Sequence, residues 1–115
     1  MNETKIRNIA WDKASKEFDA FKNSLLKESK ETIFDNAYKI SMLSDFTDMF
    51  DPDNGCLSLE ELKALLKEEH PVHTLYNYYM KSDAGGISDL YEAIWYRLND
   101  LVEHNKSQIK KDFER

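Results

Sequence analysis

The stretch that decides the fold of this chain is residues 51–62, which read Asp51-Pro-Asp-Asn-Gly-Cys-Leu-Ser-Leu-Glu-Glu-Leu62. Its second half matches the end of an EF-hand calcium loop, with Gly55 at loop position 6 and Glu61 at position 12. In that register, loop positions 1 and 3 are Phe50 and Pro52, whose side chains offer no oxygen to a cation. The stretch therefore carries only part of the ligand set that a calcium loop needs.

Two local devices account for the same stretch without a metal ion. Asn54-Gly55 is a dipeptide typical of tight turns. Ser58 and Glu61 have the spacing of a capping box, in which each side chain accepts a hydrogen bond from the other residue's backbone N–H. We therefore predict a turn followed by a capped helix, with Asp51 and Asp53 on an acidic tip that serves as contact surface. A degenerate calcium site built from Asp51, Asp53, Asn54 and Glu61 is the alternative.

Residues that interrupt helices are concentrated in the middle of the chain. All three Gly and both Pro lie between residues 52 and 86, so nothing in the flanks prevents long helices. We predict a first helix from Glu3 to Glu28, because its apolar residues fall on one side at helical spacing. These residues are Ile6, Ala10, Ala14, Phe18, Phe21 and Leu25, with Trp11 at the edge.

A second helical stretch is expected to begin at Lys30, with Ser29 as its N-cap. Its first apolar residues share one side: Ile33, Phe34, Ala37 and Tyr38. The apolar residues from Met42 to Phe50 point roughly the opposite way. We therefore predict that this helix breaks near Ser44, whose hydroxyl would cap a short final helix.

Two more helices are predicted between the loop and the C-terminal third. The helix that Ser58 begins should end by Glu69 or His70, because Pro71 disfavours helical geometry in the residue before it. Pro71 suits the first turn of a fourth helix that runs from Val72 to about Lys81. Its inward residues are Val72, Leu75, Tyr76 and Tyr79. A turn is predicted at residues 83–86.

The last helix is predicted to start at Ser88 as N-cap, with Asp89 in its first turn. Its apolar residues cover a wider arc than a one-sided surface helix requires, so we expect it to contact two neighbours. They are Leu90, Tyr91, Ile94, Trp95, Leu98, Leu101 and Val102. From Lys106 onward the apolar content falls, and the tail is expected to project or fray.

These elements predict an all-α fold. No stretch of five or more residues shows the alternation of a strand, and nothing repeats at a fixed period. We expect one domain over residues 1–115, a small bundle of about five or six helices. In this arrangement the two long terminal helices lie side by side and the short central helices cover one end.

Composition restricts the kind of partner. The formal net charge is −6, with 33% charged residues, which argues against direct binding to nucleic-acid phosphates. The same charge suits a basic protein partner, including a nucleic-acid-binding protein whose basic channel an acidic surface could occupy. Cys56 is the single cysteine, and neither a secretory signal nor a membrane span is apparent, so we expect a cytoplasmic protein.

Three segments resemble a family of short helical proteins of unknown function from gut bacteria and their mobile elements. They are Phe21-Lys-Asn-Ser-Leu-Leu26, Asn36-Ala-Tyr38, and Leu57-Ser-Leu-Glu-Glu-Leu-Lys-Ala-Leu-Leu-Lys67, followed by a short link that contains Pro. The resemblance covers residues 18–100 and rests on core and capping patterns. It implies an all-helical protein and supplies no catalytic residues. The insert at 51–55 and the Tyr-rich fourth helix depart from the family pattern.

The sequence offers little for metal binding or catalysis. His70 and His73 could bind zinc with His104 or Glu69 as a third ligand, but Pro71 separates the pair and they need not converge. Cys56 lies among acidic residues, which raise the pKa of a thiol and make it a poor nucleophile. No phosphate-binding loop, nucleophile elbow or Ser/His/Asp arrangement is present. We therefore predict no metal, no cofactor and no enzymatic activity.

Aromatic residues are the best candidates for binding a partner, because Tyr and Trp dominate protein–protein hot spots. Tyr78 is expected to be exposed, since it points away from the inward side of its helix. Tyr91 and Trp95 flank the inward side of the last helix. We predict a small acidic protein-binding module, in concrete form an anti-CRISPR-like inhibitor of a host nucleic-acid-targeting defence enzyme. A calcium-responsive module and a structural homodimer built on the long terminal helices are the alternatives.

Overall fold

A computed structural model describes residues 2–82 and 90–113, and throughout those ranges the regular structure is helical. The prediction of an all-α fold is therefore confirmed. Side chains are described up to residue 108. The predicted turn at 83–86, the predicted cap at Ser88 and Asp89 lie outside the described residues. The helices are α1 (Glu3–Leu25), α2 (Lys30–Asp35), α3 (Ala37–Asp48), α4 (Leu59–Leu65), α5 (Pro71–Met80) and α6 (Leu90–Phe113).

Helix α1 forms as predicted, although it ends at Leu25 rather than at Glu28. Asn2 caps its N-terminus, because the side-chain oxygen accepts a hydrogen bond from the N–H of Lys5 at 2.8 Å. The predicted inward side is largely buried, with Ile6, Ala10, Ala14 and Leu25 in the interior and Trp11, Phe18 and Phe21 packed against the core.

The break in the second helical stretch lies at Asn36 and not at Ser44, so that prediction is wrong. Ser29 caps α2 as expected, accepting a hydrogen bond from the N–H of Thr32 at 3.2 Å. At the other end, the Asn36 amide donates to the carbonyl of Thr32 at 2.8 Å and ends α2 after six residues. Because the chain turns there, α3 runs unbroken through Ser44 and buries one side of its own, namely Met42, Leu43, Phe46 and Thr47.

The loop between α3 and α4 is a tight turn held by Asp51. One carboxylate oxygen accepts hydrogen bonds from the N–H groups of Asp53 at 2.9 Å and Asn54 at 3.3 Å. The N–H of Gly55 donates to the carbonyl of Asp51 at 2.8 Å. A Cβ at position 55 would lie 2.3 Å from the carbonyl oxygen of Met49, closer than any real contact. Glycine is therefore required here by the close approach of the backbone.

The capping box of α4 is confirmed. The hydroxyl of Ser58 accepts from the N–H of Glu61 at 3.2 Å, and the carboxylate of Glu61 accepts from the N–H of Ser58 at 2.9 Å. Pro71 occupies the first turn of α5, also as predicted. By contrast, the side chain of His70, at the N-cap position of α5, makes no capping hydrogen bond.

Glu17 of α1 supplies the missing cap of α5. Its two carboxylate oxygens accept from the N–H groups of Val72 and His73, each at 2.8 Å, and Oε2 also contacts Nδ1 of His73 at 2.5 Å. The Glu17 side chain is 6% exposed. A buried carboxylate at a helix N-terminus satisfies free N–H groups and complements the positive end of the helix dipole. Sequence spacing contains no sign of this bond.

Two other charged residues of α1 bind backbone carbonyls of the same segment. Lys13 donates to the carbonyls of Leu66 at 3.0 Å and Glu68 at 2.6 Å, just beyond the C-terminus of α4. Arg7 donates to the carbonyl of Leu57 at 3.1 Å, just before α4 begins. Helix α1 therefore holds both ends of the α4 region and the start of α5.

The packing order of the helices differs from the predicted one. Helix α1 packs on α3, α4 and α5, whereas α6 packs on α4 and α5. The two terminal helices do not form a main interface within the described residues, and the prediction that they lie side by side is wrong. The reason is that α4 and α5 each pack against both α1 and α6 and so lie between the two terminal helices. The predicted two neighbours of α6 are confirmed.

One hydrophobic core joins the helices, centred on Leu43, Phe46, Leu62, Leu65, Leu75, Ile94 and Leu98. The backbone of α6 remains helical to Phe113, and the expectation that the tail from Lys106 projects or frays stays a prediction. Within residues 2–82 and 90–113, no helix combines the length and apolar composition that crossing a membrane requires.

Replacing Gly55 with Ala is expected to destabilise the protein by more than about 1 kcal/mol, because the new Cβ meets backbone oxygens that cannot move independently. Urea unfolding followed by circular dichroism measures this change. The neighbouring exposed substitution Asn54→Ala is the control, and it should cost less than about 0.5 kcal/mol. Equal stability of the two variants would contradict the role assigned to Gly55.

Replacing Glu17 with Ala is expected to cost about 2–4 kcal/mol, because two N–H groups at the start of α5 lose a charged acceptor. Asp12→Ala is the matched control on the same helix. Asp12 forms an exposed ion pair with Lys16 at 2.9 Å, and removing it should change stability by less than about 1 kcal/mol. Chemical denaturation that gives both variants the same free energy of unfolding would show that the cap from α1 contributes little.

Candidate functional site

The first half of α6 carries an exposed aromatic pair. Trp95 is 41% exposed and Tyr96 is 77% exposed. Their ring centroids lie 5.1 Å apart at an interplanar angle of 78°, an edge-to-face arrangement. Because Ile94 and Leu98 are fully buried, the helical repeat turns residues 95 and 96 outward.

These two residues border a shallow groove of about 350 Å³ that is also lined by Tyr91 and Glu92. We name the group of Tyr91, Glu92, Trp95 and Tyr96 the α6 aromatic surface. The structure thus brings two predicted binding residues, Tyr91 and Trp95, into one site. Tyr96 was missed, although its position next to the predicted Trp95 on the outer side of α6 could have indicated it.

Tyr91 anchors this surface to the start of α4. Its hydroxyl donates a hydrogen bond to Oε2 of Glu61 at 2.7 Å. The pKa of Tyr91 is raised to about 12. Burial is the largest cause, followed by this hydrogen bond and by electrostatic repulsion from Glu61 and Cys56. The hydrogen bond to Glu61 places the α6 aromatic surface beside the start of α4. Tyr91 is therefore fixed in place while the neighbouring rings face solvent.

The two residues of the predicted acidic tip, Asp51 and Asp53, differ in exposure and in role. Asp53 is exposed, as a contact residue would be. Asp51 is half-buried, and its carboxylate accepts the backbone hydrogen bonds that shape the turn. Glu61, the last ligand of the calcium alternative, is buried with one oxygen bonded to Ser58 and the other to Tyr91. Among the described residues, no group of three or more His, Cys, Asp or Glu side chains could hold a metal ion.

Tyr78 is half-buried and packs against the core, so the prediction that it is exposed is wrong. The physical reason is that α5 contacts α6 as well as α1 and α3, so a second side of α5 is covered. Burial, followed by the negative charges of Glu68 and Asp100, raises the pKa of Tyr78. Tyr78 therefore belongs to the packing between helices and is absent from the α6 aromatic surface.

A second apolar surface lies at the far end of α1. Phe34 is 79% exposed and α2 contains no buried residue, so the apolar side that Ile33 and Phe34 share does not enter the core. Leu26 and Tyr38 are exposed as well. We name Leu26, Phe34 and Tyr38 the α2 apolar surface. An adjoining groove of about 140 Å³ is lined by Lys22, Leu25, Leu26, Ile33 and Ile40.

The two predicted zinc candidates, His70 and His73, line one open groove together with Glu17. Their ring centroids are 6.2 Å apart. His73 is held by Glu17 through Nδ1 and packs edge-on against Phe21 at 5.5 Å. His104 lines a different cavity. The pair therefore shares a groove. Of the two third ligands considered, Glu69 lies 3.7 Å from Nε2 of His70, whereas His104 is elsewhere.

Replacing Tyr91 with Phe should change how stability depends on alkaline pH. The unfolded chain releases the Tyr91 proton near pH 10 and the folded protein at about 12, so the free energy of unfolding falls as pH rises through this window. Tyr91→Phe has no such proton, and its decline should be shallower. Urea unfolding at increasing pH measures the difference. Tyr96→Phe is the control, and a Tyr91→Phe curve parallel to wild type would contradict the assignment.

Comparisons with known proteins give no match. No family model matches this chain, no curated protein is similar to it, and no solved structure shares its fold at a significant level. The family resemblance over residues 18–100 therefore stays a prediction. The function has to be inferred from the surfaces and cavities of the protein itself.

Proposed function

We propose that this protein is a protein-binding module that contacts its partner through the α6 aromatic surface. The observation that carries the proposal is the exposed edge-to-face pair of Trp95 and Tyr96 beside a groove. Contiguous apolar patches at a protein surface often mark sites where a partner binds. Tyr and Trp are also enriched among the residues that dominate binding free energy.

The geometry suits a partner that inserts a side chain or a short segment. Tyr91 is held by Glu61, and buried Ile94 and Leu98 anchor the helix that carries Trp95 and Tyr96. The surface therefore loses little conformational entropy when a partner binds. Rigid aromatic rings lose few rotamers when they are covered. The groove of about 350 Å³ beside them has room for one large side chain of the partner.

Charge favours a basic partner. Glu92 lines the groove, Asp53 is exposed on the 51–57 loop, and the net charge of the chain is −6. Such a distribution accelerates encounter with a positive surface and repels acidic proteins. The concrete form of the proposal is an anti-CRISPR-like inhibitor that occupies the basic nucleic-acid channel of a host defence enzyme. Its support is the acidic charge around exposed aromatic rings.

Self-association is a second candidate function, favoured by the α2 apolar surface. Phe34 is 79% exposed beside the apolar groove that Ile33 and Leu26 line. A two-fold dimer places the same patch of both copies against each other, so a projecting ring next to a groove is the required combination. The homodimer expected from the sequence used the long terminal helices as its interface. Because α3, α4 and α5 cover the apolar sides of those helices, the proposed dimer interface is the α2 apolar surface instead.

The partner surface is tested by the double substitution Trp95→Ser and Tyr96→Ser. Tagged wild-type and variant proteins are used to capture partners from a lysate of the native host, and the retained proteins are compared by mass spectrometry. The variant should lose the specific partner, with affinity for the purified pair reduced roughly 30-fold or more. Phe34→Ser with Tyr38→Ser is the matched control and should retain it.

Two results decide between the forms of this proposal. Loss of the partner only in the Phe34 and Tyr38 variant would move the binding surface to α2 and overturn the role of α6. For an inhibitor that occupies a nucleic-acid channel, affinity should fall steeply as salt rises. A complex that is insensitive to salt excludes that mechanism.

Light scattering across a concentration series detects the dimer, which Phe34→Ser should abolish.

A further inference from the structure

The groove of the α6 aromatic surface has walls that attract positive charge. Tyr91, Trp95 and Tyr96 supply aromatic rings, and Glu92 supplies a carboxylate. None of these four residues, which are the lining that the structure describes, is basic. The face of an aromatic ring carries partial negative charge, so the rings and the carboxylate act with the same sign. A cation in this groove is therefore attracted by every wall.

The packing of Trp95 against Tyr96 leaves ring faces open to a ligand. The planes of the two rings meet at 78°, so one ring points its edge at the other. The ring that presents its edge keeps both of its faces uncovered by its neighbour. Tyr96 is 77% exposed, so much of its ring is accessible from solvent. The pair presents ring faces in two nearly perpendicular planes, as the aromatic cages that hold cations do.

Tyr91 adds a fixed ring to the same groove. Its hydroxyl donates a hydrogen bond to Oε2 of Glu61 at 2.7 Å. A phenol that donates to a carboxylate is polarised by it, and its ring gains electron density. The hydrogen bond therefore both holds the ring of Tyr91 in place and strengthens its attraction for a cation.

Glu92 selects the kind of cation. A carboxylate accepts up to about four hydrogen bonds through its two oxygens, and a guanidinium offers paired N–H donors that match both oxygens. Because a guanidinium is planar and weakly hydrated, it can stack on a ring while its edge faces the carboxylate. An ammonium group is a strongly hydrated point charge, and a quaternary ammonium has no N–H to donate. Only the guanidinium uses both kinds of wall fully.

We infer that the α6 aromatic surface binds an arginine side chain of its protein partner. The guanidinium stacks on the rings of Trp95 and Tyr96 and donates to the carboxylate of Glu92. Residues four apart on a helix are neighbours on its surface, so Glu92 and Tyr96 can contact the same side chain. The inference rests on the proposed function, since it names the chemical group by which a basic partner is recognised at that surface.

Nuclear magnetic resonance titration of the isotope-labelled chain with blocked tripeptides tests the inference. The probes are acetyl-Gly-Arg-Gly-amide and the same peptide with either lysine or citrulline, a neutral isostere of arginine. The indole N–H of Trp95 reports on the groove, and that of Trp11, which packs against the core, is the reference. We expect a saturable shift at Trp95 with millimolar affinity, tighter for arginine than for lysine and roughly threefold or more tighter than for citrulline.

Two variants separate recognition of the guanidinium from general covering of apolar surface. Glu92→Gln keeps the side-chain shape and removes the charge, so it should weaken the arginine peptide roughly threefold or more and leave the citrulline peptide unchanged. Tyr96→Leu keeps an apolar side chain and removes the ring, so the preference for arginine over citrulline should shrink. Glu103→Gln is the matched control, because Glu103 pairs with Lys106 at 3.8 Å on the other half of α6. It should bind like wild type.

Several results would overturn the inference: equal affinity for the arginine and citrulline peptides, tighter binding of the lysine peptide, wild-type affinity in Glu92→Gln, or no saturable shift at Trp95. Its failure is distinguishable from failure of the proposed function. If Trp95→Ser with Tyr96→Ser loses the captured partner and Glu92→Gln retains it at wild-type affinity, only the arginine inference is wrong. If the double variant retains the partner, the proposed function is wrong and the inference with it.

Discussion

The structure depends on the hydrogen bonds that charged side chains of α1 make with the backbone of residues 57–73. Glu17 accepts from the first N–H groups of α5, and Lys13 donates to carbonyls just beyond α4. Each charge has the sign that its helix end requires, negative at an N-terminus and positive at a C-terminus. Both short helices are below the length at which an isolated helix is stable in water. Their ends are therefore held by tertiary contacts, and α6 packs on the pair that results.

The exposure of the α6 aromatic surface follows from this arrangement. With α4 and α5 in place, Ile94 and Leu98 are buried against them and the helical repeat leaves Trp95 and Tyr96 outside. The hydrogen bond from Tyr91 to Glu61 ties the same part of α6 to the capping box of α4. One glutamate thus starts α4 and fixes the edge of the candidate binding surface. In the proposed function, the stretch from 51 to 62 would contribute through this contact and through the exposed Asp53.

The amino-acid sequence by itself determined the features that depend on residues a few positions apart. These are the caps at Ser29 and Ser58, Pro71 at the start of α5, the turn at Gly55 and the buried side of α1. Trp95 and Tyr91 were predicted as binding residues from their position on one helix, and that role stays a prediction. Only the tertiary structure decided the cap from Glu17, the burial of Tyr78 and the exposure of Phe34. Each depends on which helix packs against which, and contacts between residues more than 50 positions apart leave no periodic pattern in the sequence.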